Sequence, residues 1–295
     1  MKYVWICVGL LASALLAAAP QTLKVNVDLV NVLFSVTDQN GRFVPGLTKD
    51  DFTIEEDGKK QTIAQFSREN TQPLTIGLLI DTSASVSRVF VDEKETAIQF
   101  LESTIQSNDL AFVIGFNHEV TLVEDYTDDL RALRRAVDSL TIGQGTSLYD
   151  AIYLACKEVL NQEEGRKALI LISDGQDTSS KIRYNEAGVT ALRSDAVIYS
   201  ISNRVGGFFG VPGTGNPRTL TDFSLETGGS VYFVGGRNDL SRVFEQITKE
   251  LRSQYTLAYT STNKARDGSY RSIRITTKNS SHRVKSRKGY YAPGG

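Results

Sequence analysis

Asp81, Ser83 and Ser85 place three oxygen-bearing side chains at alternate positions directly after an apolar run, Ile76, Leu78, Leu79 and Ile80. The run is short enough for a buried strand, and it stops where the hydroxyl residues begin. A tight loop that presents alternate Asp and Ser oxygens suits a hard, oxygen-seeking divalent cation. The same residue types also cap helices and build turns, so this loop needs partners before it means anything. Thr146 lies in GQGTSLYDAI, a glycine-flanked turn that opens a helix, and Asp174 ends a second apolar strand in ALILISDGQDTSS. In an open parallel sheet, loops at the carboxyl ends of neighbouring strands converge on one crevice. Two aspartates and three hydroxyls can therefore meet there.

Two carboxylates and neutral hydroxyls leave a cation electron-poor, with water at one or more of its roughly six positions. An outside carboxylate can replace that water. Mg²⁺ is the default ion for such a donor set, with Mn²⁺ and Ca²⁺ as alternatives. Asp177, three residues after Asp174, reads as a surface turn residue rather than a group behind the site. Catalysis has little support. A metal-activated water needs a general base and a serine nucleophile needs a histidine, yet His118 falls in a hairpin and His282 in the C-terminal β region. Both are expected away from the strand-end crevice. No phosphate-binding GxxxxGK[ST] sequence is present, and the glycines of 206–215 are irregularly spaced and interrupted by Pro212, which reads as a surface insertion.

The elements that must hold these residues follow from periodicity. Over residues 71–253, strands and helices alternate, which predicts an α/β fold: a doubly wound, mostly parallel six-stranded sheet. The strand AFVIGF joins EVTLVE through Asn117 and His118 alone, so that pair must be antiparallel and lies at one edge. Residues 20–70 and 254–295 return to a period of two. The first has a phase change near Leu29 and a hairpin at Asp57-Gly58, with Ile63 and Phe66 after the turn. The second suggests two or three strands. Neither has enough strands to be stable alone, so the two are expected to pair as a small β-sandwich into which the α/β segment is inserted.

The ordered set Asp81-x-Ser83-x-Ser85, Thr146 and Asp174 resembles the metal-ion-dependent adhesion site of von Willebrand factor A-type domains. The flanks, GLTKDDF…EDGK before it and RKGYYA at the end, resemble bacterial secreted proteins related to that family. The resemblance implies the same α/β architecture, those five residues as metal ligands, and a partner protein whose Asp or Glu completes the coordination. It further implies that the last helix of the domain, here 240–251, can transmit a change of ligand state.

Composition narrows the remainder. The 33 basic and 34 acidic residues nearly cancel, so global charge selects no partner class. Lys2 and the apolar run 3–19 have the layout of a secretory signal peptide, or of an anchor if the segment stays uncleaved; either places the remainder outside the cytoplasm, secreted or periplasmic. A membrane is a partner only in the uncleaved case. Cys7 lies in that segment, and Cys156 sits among Ala151, Ile152, Ala155 and Val159 as a small buried hydrophobe. The stretch 264–288 carries nine Lys or Arg against Asp267, read as charge that keeps β-edges from pairing, with no nucleic acid expected as a partner. The expectation is an exported, non-catalytic binding or adhesion protein. The alternatives are an envelope scaffold whose subunits the metal bridges, and a metal-dependent hydrolase.

Overall fold

The computed structural model describes residues 29–68, 72–163, 165–202, 215–235 and 237–294. The export segment 1–19, the alternation before Leu29 and nearly all of the glycine-rich stretch 206–215 lie outside the described residues.

Four strands open the chain: β1 (Leu29–Thr37), β2 (Phe52–Glu56), β3 (Lys59–Gln61) and β4 (Ile63–Arg68). In β1 the even positions Val30, Val32, Phe34 and Val36 are buried, as alternation after Leu29 requires. Asp57 (φ 48°) and Gly58 (φ 74°) turn β2 into β3. Here the structure corrects the hairpin expected from the sequence. The returning strand is Lys59–Gln61, whereas Ile63 and Phe66 belong to β4, which crosses to the opposite sheet.

The α/β segment follows as β5 (Leu74–Asp81), α1 (Phe90–Thr104), β6 (Leu110–Phe116), β7 (Val120–Thr127), α2 (Leu130–Ser139) and α3 (Leu148–Tyr153). It continues through β8 (Arg166–Ile172), α4 (Tyr184–Arg193), β9 (Val197–Ser202), α5 (Pro217–Thr227), β10 (Val231–Phe233) and α6 (Arg237–Leu251). The six strands form one sheet in the order β10-β9-β8-β5-β6-β7, with β7 the antiparallel edge. All eight residues of β5 are buried, because helices cover both faces of the sheet. α1, α2 and α6 pack on one face, where Phe100 and Phe244 stack at 4.7 Å. α3, α4 and α5 cover the other. After Tyr153 the helix widens into a π-helical turn, Leu154–Val159, that carries Cys156. Burial pushes the Cys156 thiol up to about 12, which fits an inert packing residue.

Four strands close the chain: β11 (Tyr255–Thr260), β12 (Tyr270–Thr277), β13 (Arg283–Ser286) and β14 (Gly289–Tyr291). They interleave with the first four in two antiparallel sheets, β13-β1-β11-β4 and β14-β12-β2-β3. One apolar core joins the two, with Phe34, Ile54, Leu257, Tyr259 and Ile275 at its centre. The N- and C-terminal segments therefore build one sandwich between them. The α/β segment leaves it after Arg68 and rejoins it at Tyr255, which are register partners on neighbouring strands.

Glu56, 2% exposed, is the polar centre of the sandwich. It accepts hydrogen bonds from Tyr259 Oη (2.8 Å), Tyr290 Oη (2.9 Å) and Ser261 Oγ (2.5 Å), with Arg271 Nη1 at 3.7 Å. A buried carboxylate so fully paired is tolerable where an orphan one would not be.

Basic residues of the C-terminal stretch tie the sandwich to the sheet. Lys285 pairs with Glu250 of α6, Arg287 with Asp195, and Lys288 with Glu226 of α5 at 3.0 Å. This revises the solubility reading of residues 264–288. Together with the buried Arg271, four of those cations pair with acids of the fold rather than guard strand edges.

Candidate metal centre

β5, β6 and β8 run parallel, with Asp81 beside Phe116 and Ile80 beside Ile172, so their carboxyl ends open onto the same edge. Asp81 is the last residue of β5 and only 1% exposed. Its Oδ1 accepts from Ser83 N–H at 2.8 Å and its Oδ2 from Ser173 Oγ–H at 2.7 Å. Ser83 Oγ and Ser85 Oγ share a hydrogen bond of 2.8 Å, so both hydroxyls of the loop point to one place. Ser83 is buried and Ser85 exposed, which makes Ser85 the solvent-facing member.

The loop bearing Thr146 is fastened to this one. Gly143 N–H donates to Thr82 O at 2.8 Å, and Gly143 pairs with Ser83 as an isolated parallel bridge. Gly145 adopts φ +70°, and a Cβ there would stand 2.5 Å from Ser179 Oγ, so glycine is required before Thr146. Thr146 is 5% exposed. Its carbonyl accepts from Thr178 and Ser179 N–H (2.8 and 3.0 Å), and its N–H donates to Thr178 Oγ1 at 2.9 Å. Those bonds join it to the loop that follows Asp174.

Asp174 is half-buried, with Oδ1 capping Gln176 N–H at 2.9 Å. The next residue, Gly175, has φ +82°, and a Cβ there would lie 2.4 Å from Asn216 O, so the backbone of the 215–216 segment closes against this turn. All five residues singled out in the sequence thus lie on three interlocked loops at one end of the sheet.

Burial raises the Asp81 carboxyl to about 6, and the negative charge of Asp174 adds to the rise, while the hydrogen bonds from Ser173 and Ser83 oppose it. A desolvated Asp81 with a second acid beside it is a poor arrangement for the chain alone and a good one for a chain that holds a cation. Among the described residues, no group of three or more His, Cys, Asp or Glu could hold a metal by itself. Any ion here would rest on the two carboxylates and the three hydroxyls, a hard-oxygen donor set.

Sequence reasoning missed several contributors. Ser173 holds Asp81, and its only signal was its place between the strand and Asp174. Asn117 donates from Nδ2 to Thr82 Oγ1 at 3.1 Å, and Thr82 N–H donates to Phe116 O, bracing the first loop against the end of β6. Asp177 is more than a turn residue: its Oδ1 accepts from Ser180 Oγ at 2.5 Å and from Tyr149 N–H at 3.3 Å, anchoring the start of α3 just after Thr146. His118 also departs from expectation. Because β6 ends beside Asp81, the β6–β7 turn lies at the rim of the centre, where His118 N–H donates to Gln144 O at 2.8 Å. Its ring is largely exposed, 3.6 Å from Glu119.

Residues 76–176 match the family model of the von Willebrand factor type A domain. Among solved structures, the chain is similar to proximal thread matrix protein 1 from the mussel byssus, with 19% identity over 67% of this chain and 51% of that one, at a TM-score of 0.54. A further structure of the mussel protein, described as having a zinc-occupied MIDAS motif, aligns with 20% identity over 66% of this chain and 49% of that one (TM-score 0.53). This chain thus spans about half the length of the mussel protein. A von Willebrand factor type A structure from Catenulispora acidiphila aligns over 92% of this chain and 75% of its own, with 12% identity and a TM-score of 0.52. At these identities the likeness is one of fold. No curated protein matches the sequence. The family match starts in β5 and ends just past Asp174, and the sheet built on that strand has the antiparallel edge expected from the two-residue Asn117-His118 connection, so residues 76–176 carry the von Willebrand factor type A match and the α/β unit around them has that domain's fold.

Proposed function

We propose that this chain is an exported, non-catalytic binding protein that holds a divalent cation and uses it to capture an acidic residue of a partner protein. Asp81, Ser83, Ser85, Thr146 and Asp174 provide the ligands, directly or through water. The observation that carries this reading is the mutual fastening of the three loops, which holds a nearly buried Asp81 beside Asp174 with hydroxyls at hand. Mg²⁺ is the default ion, with Mn²⁺ and Ca²⁺ as alternatives, and the zinc reported in the mussel relative is consistent with a divalent ion in such a site. When bound, the ion supplies Lewis acidity toward a carboxylate oxygen. The chain's own residues orient it: Ser173 and Ser83 N–H fix the Asp81 carboxylate, and Asp177 and Thr178 fix the turn that bears Thr146.

Non-catalytic action is favoured by the groups at the rim. His118 is solvated and paired toward Glu119 rather than toward Asp81 or Asp174, so it is not placed as a base for a metal-bound water. The apolar run at 3–19 supports export, to the periplasm or beyond.

The test is calorimetric titration of Mg²⁺ and Mn²⁺ into the full chain and into a folded Asp81→Ala variant, repeated with a soluble carboxylate present. Saturable binding by the wild type, tightened by the carboxylate and absent from the variant, is the expected result. Equal binding by both proteins, or none by the wild type even with carboxylate, overturns the proposal.

A further inference from the structure

A second cleft lies away from the metal centre, where the sandwich meets α4. It encloses about 780 Å³, the size range of sites for small molecules or short oligomers. Five cations line it, Arg193, Lys264, Arg266, Arg271 and Arg287, with Asp195 in the same wall and Glu56 behind Arg271 as the acids paired with the two inner arginines. They come from four separate parts of the chain: the end of α4, the β11–β12 loop, β12 and the β13–β14 connection.

The two inner arginines are held rigidly. Arg271, 2% exposed, donates to Ser261 Oγ (3.1 Å) and Asn263 O (2.8 Å), and also to Ala265 O. Arg287, 7% exposed, bridges Asp195 and Asn31 O, so it spans both units. Two guanidinium groups fixed at the back of a cleft, with further cations lining it, make a place where negative charge is stabilised from several sides.

From this geometry we infer that the cleft is a binding site for an anionic carbohydrate, an oligosaccharide that carries carboxylate or sulfate groups. Neutral hydrogen-bonding side chains, Asn31, Thr260 and Asn263, also line it, which suits sugar hydroxyls as well as charge. Nucleic acid fits less well, because no aromatic face is open for base stacking: Tyr290 is 8% exposed, and Arg193 covers the ring of Tyr291 at 5.6 Å. A membrane surface is disfavoured by the concavity.

The inference is independent of the cation site, so its test runs in chelator. Binding of a galacturonate oligomer and of sulfated dextran oligosaccharide to the full chain is measured by calorimetry at low and moderate salt, with neutral dextran and single-stranded DNA beside them. One or both anionic sugars should bind in a salt-sensitive way, and the Lys264→Gln/Arg266→Gln double variant should bind about tenfold more weakly or worse. A control pair on the same basic stretch but outside the cleft, Arg274→Gln/Lys278→Gln, should retain wild-type affinity; both residues are exposed. Equal weakening by the two double variants would mark diffuse surface charge and overturn the site. So would tighter binding of DNA than of either sugar, or no binding of any anion.

Discussion

In the proposed cation site Asp81 is the central ligand, and its burial sets a pH dependence that can be measured. The folded chain holds its carboxyl at about 6, above the 3.8 expected of an unfolded aspartate. A carboxyl whose value is raised on folding binds its proton more tightly in the native state. Its contribution to metal-free stability is therefore fully present below about pH 4 and is lost as pH rises toward about 6, a total on the order of 3 kcal/mol. A cation reverses the balance, because it favours the ionised form. In metal-free protein above about pH 6, Asp81→Asn should raise the stability, by up to about 3 kcal/mol in denaturant unfolding, and abolish any further gain on adding Mg²⁺. A variant less stable than wild type without metal would show that the ionised Asp81 is held by the chain alone. Mg²⁺ affinity of the wild type should likewise weaken as pH falls below about 6, since each ion must displace a proton; a flat affinity between pH 5 and pH 8 would count against Asp81 as a ligand. All five candidate ligands were legible because the donor set and its order are local properties of strand-end sequence. Ser173, Asn117 and the working role of Asp177 were not, since a hydroxyl or amide that braces a ligand carries no spacing rule of its own.

Among the elements, α6 is tied to the sandwich through a buried acid. Glu250, 2% exposed, receives Tyr199 Oη at 3.1 Å and Ser35 Oγ at 3.4 Å and pairs with Lys285 of β13. Removing one partner of a buried pair leaves the other charge uncompensated. Lys285→Met should cost about 2–4 kcal/mol, and adding Glu250→Gln should recover part of the loss, both read by denaturant unfolding. A cost below about 0.5 kcal/mol would show that solvent already screens the pair, as for an exposed ion pair. Neither residue could be matched to the other in the sequence, because they meet only after β13 pairs with β1. The same non-locality explains the hairpin that was misread. The Asp57-Gly58 turn was legible, but Thr62 separates a short return strand from a second one, and nothing in the alternation says that the second changes sheets. The period of the α/β elements, by contrast, is a property of each segment alone, which is why the six strands and their alternation with helices could be anticipated.

At the scale of the whole molecule, the α/β unit is an insertion whose two ends lie side by side, with Arg68 beside Tyr255. Ends that close allow a unit to be excised without stretching its chain. The unit has two apolar layers of its own, one on each face of the six-stranded sheet, and all five candidate ligands with their bracing loops lie within it. A fragment of residues 72–253 should therefore unfold cooperatively and bind Mg²⁺ as the full chain does. It should nonetheless be less stable, because Asp195, Glu226 and Glu250 lose Arg287, Lys288 and Lys285, and because Asp195 is a left-handed residue (φ 59°) that Arg287 helps to hold. Exposed pairs contribute little, so most of that deficit should trace to Glu250 and be relieved by Glu250→Gln within the fragment. Calorimetric unfolding of the fragment, the Gln variant and the full chain, each with and without Mg²⁺, separates the outcomes. A fragment that folds, binds Mg²⁺ and gains stability from Glu250→Gln establishes an autonomous domain clamped by the sandwich. A fragment without a cooperative transition would make the sandwich part of the folding unit, with the buried pair at Glu250 as a required piece of the core.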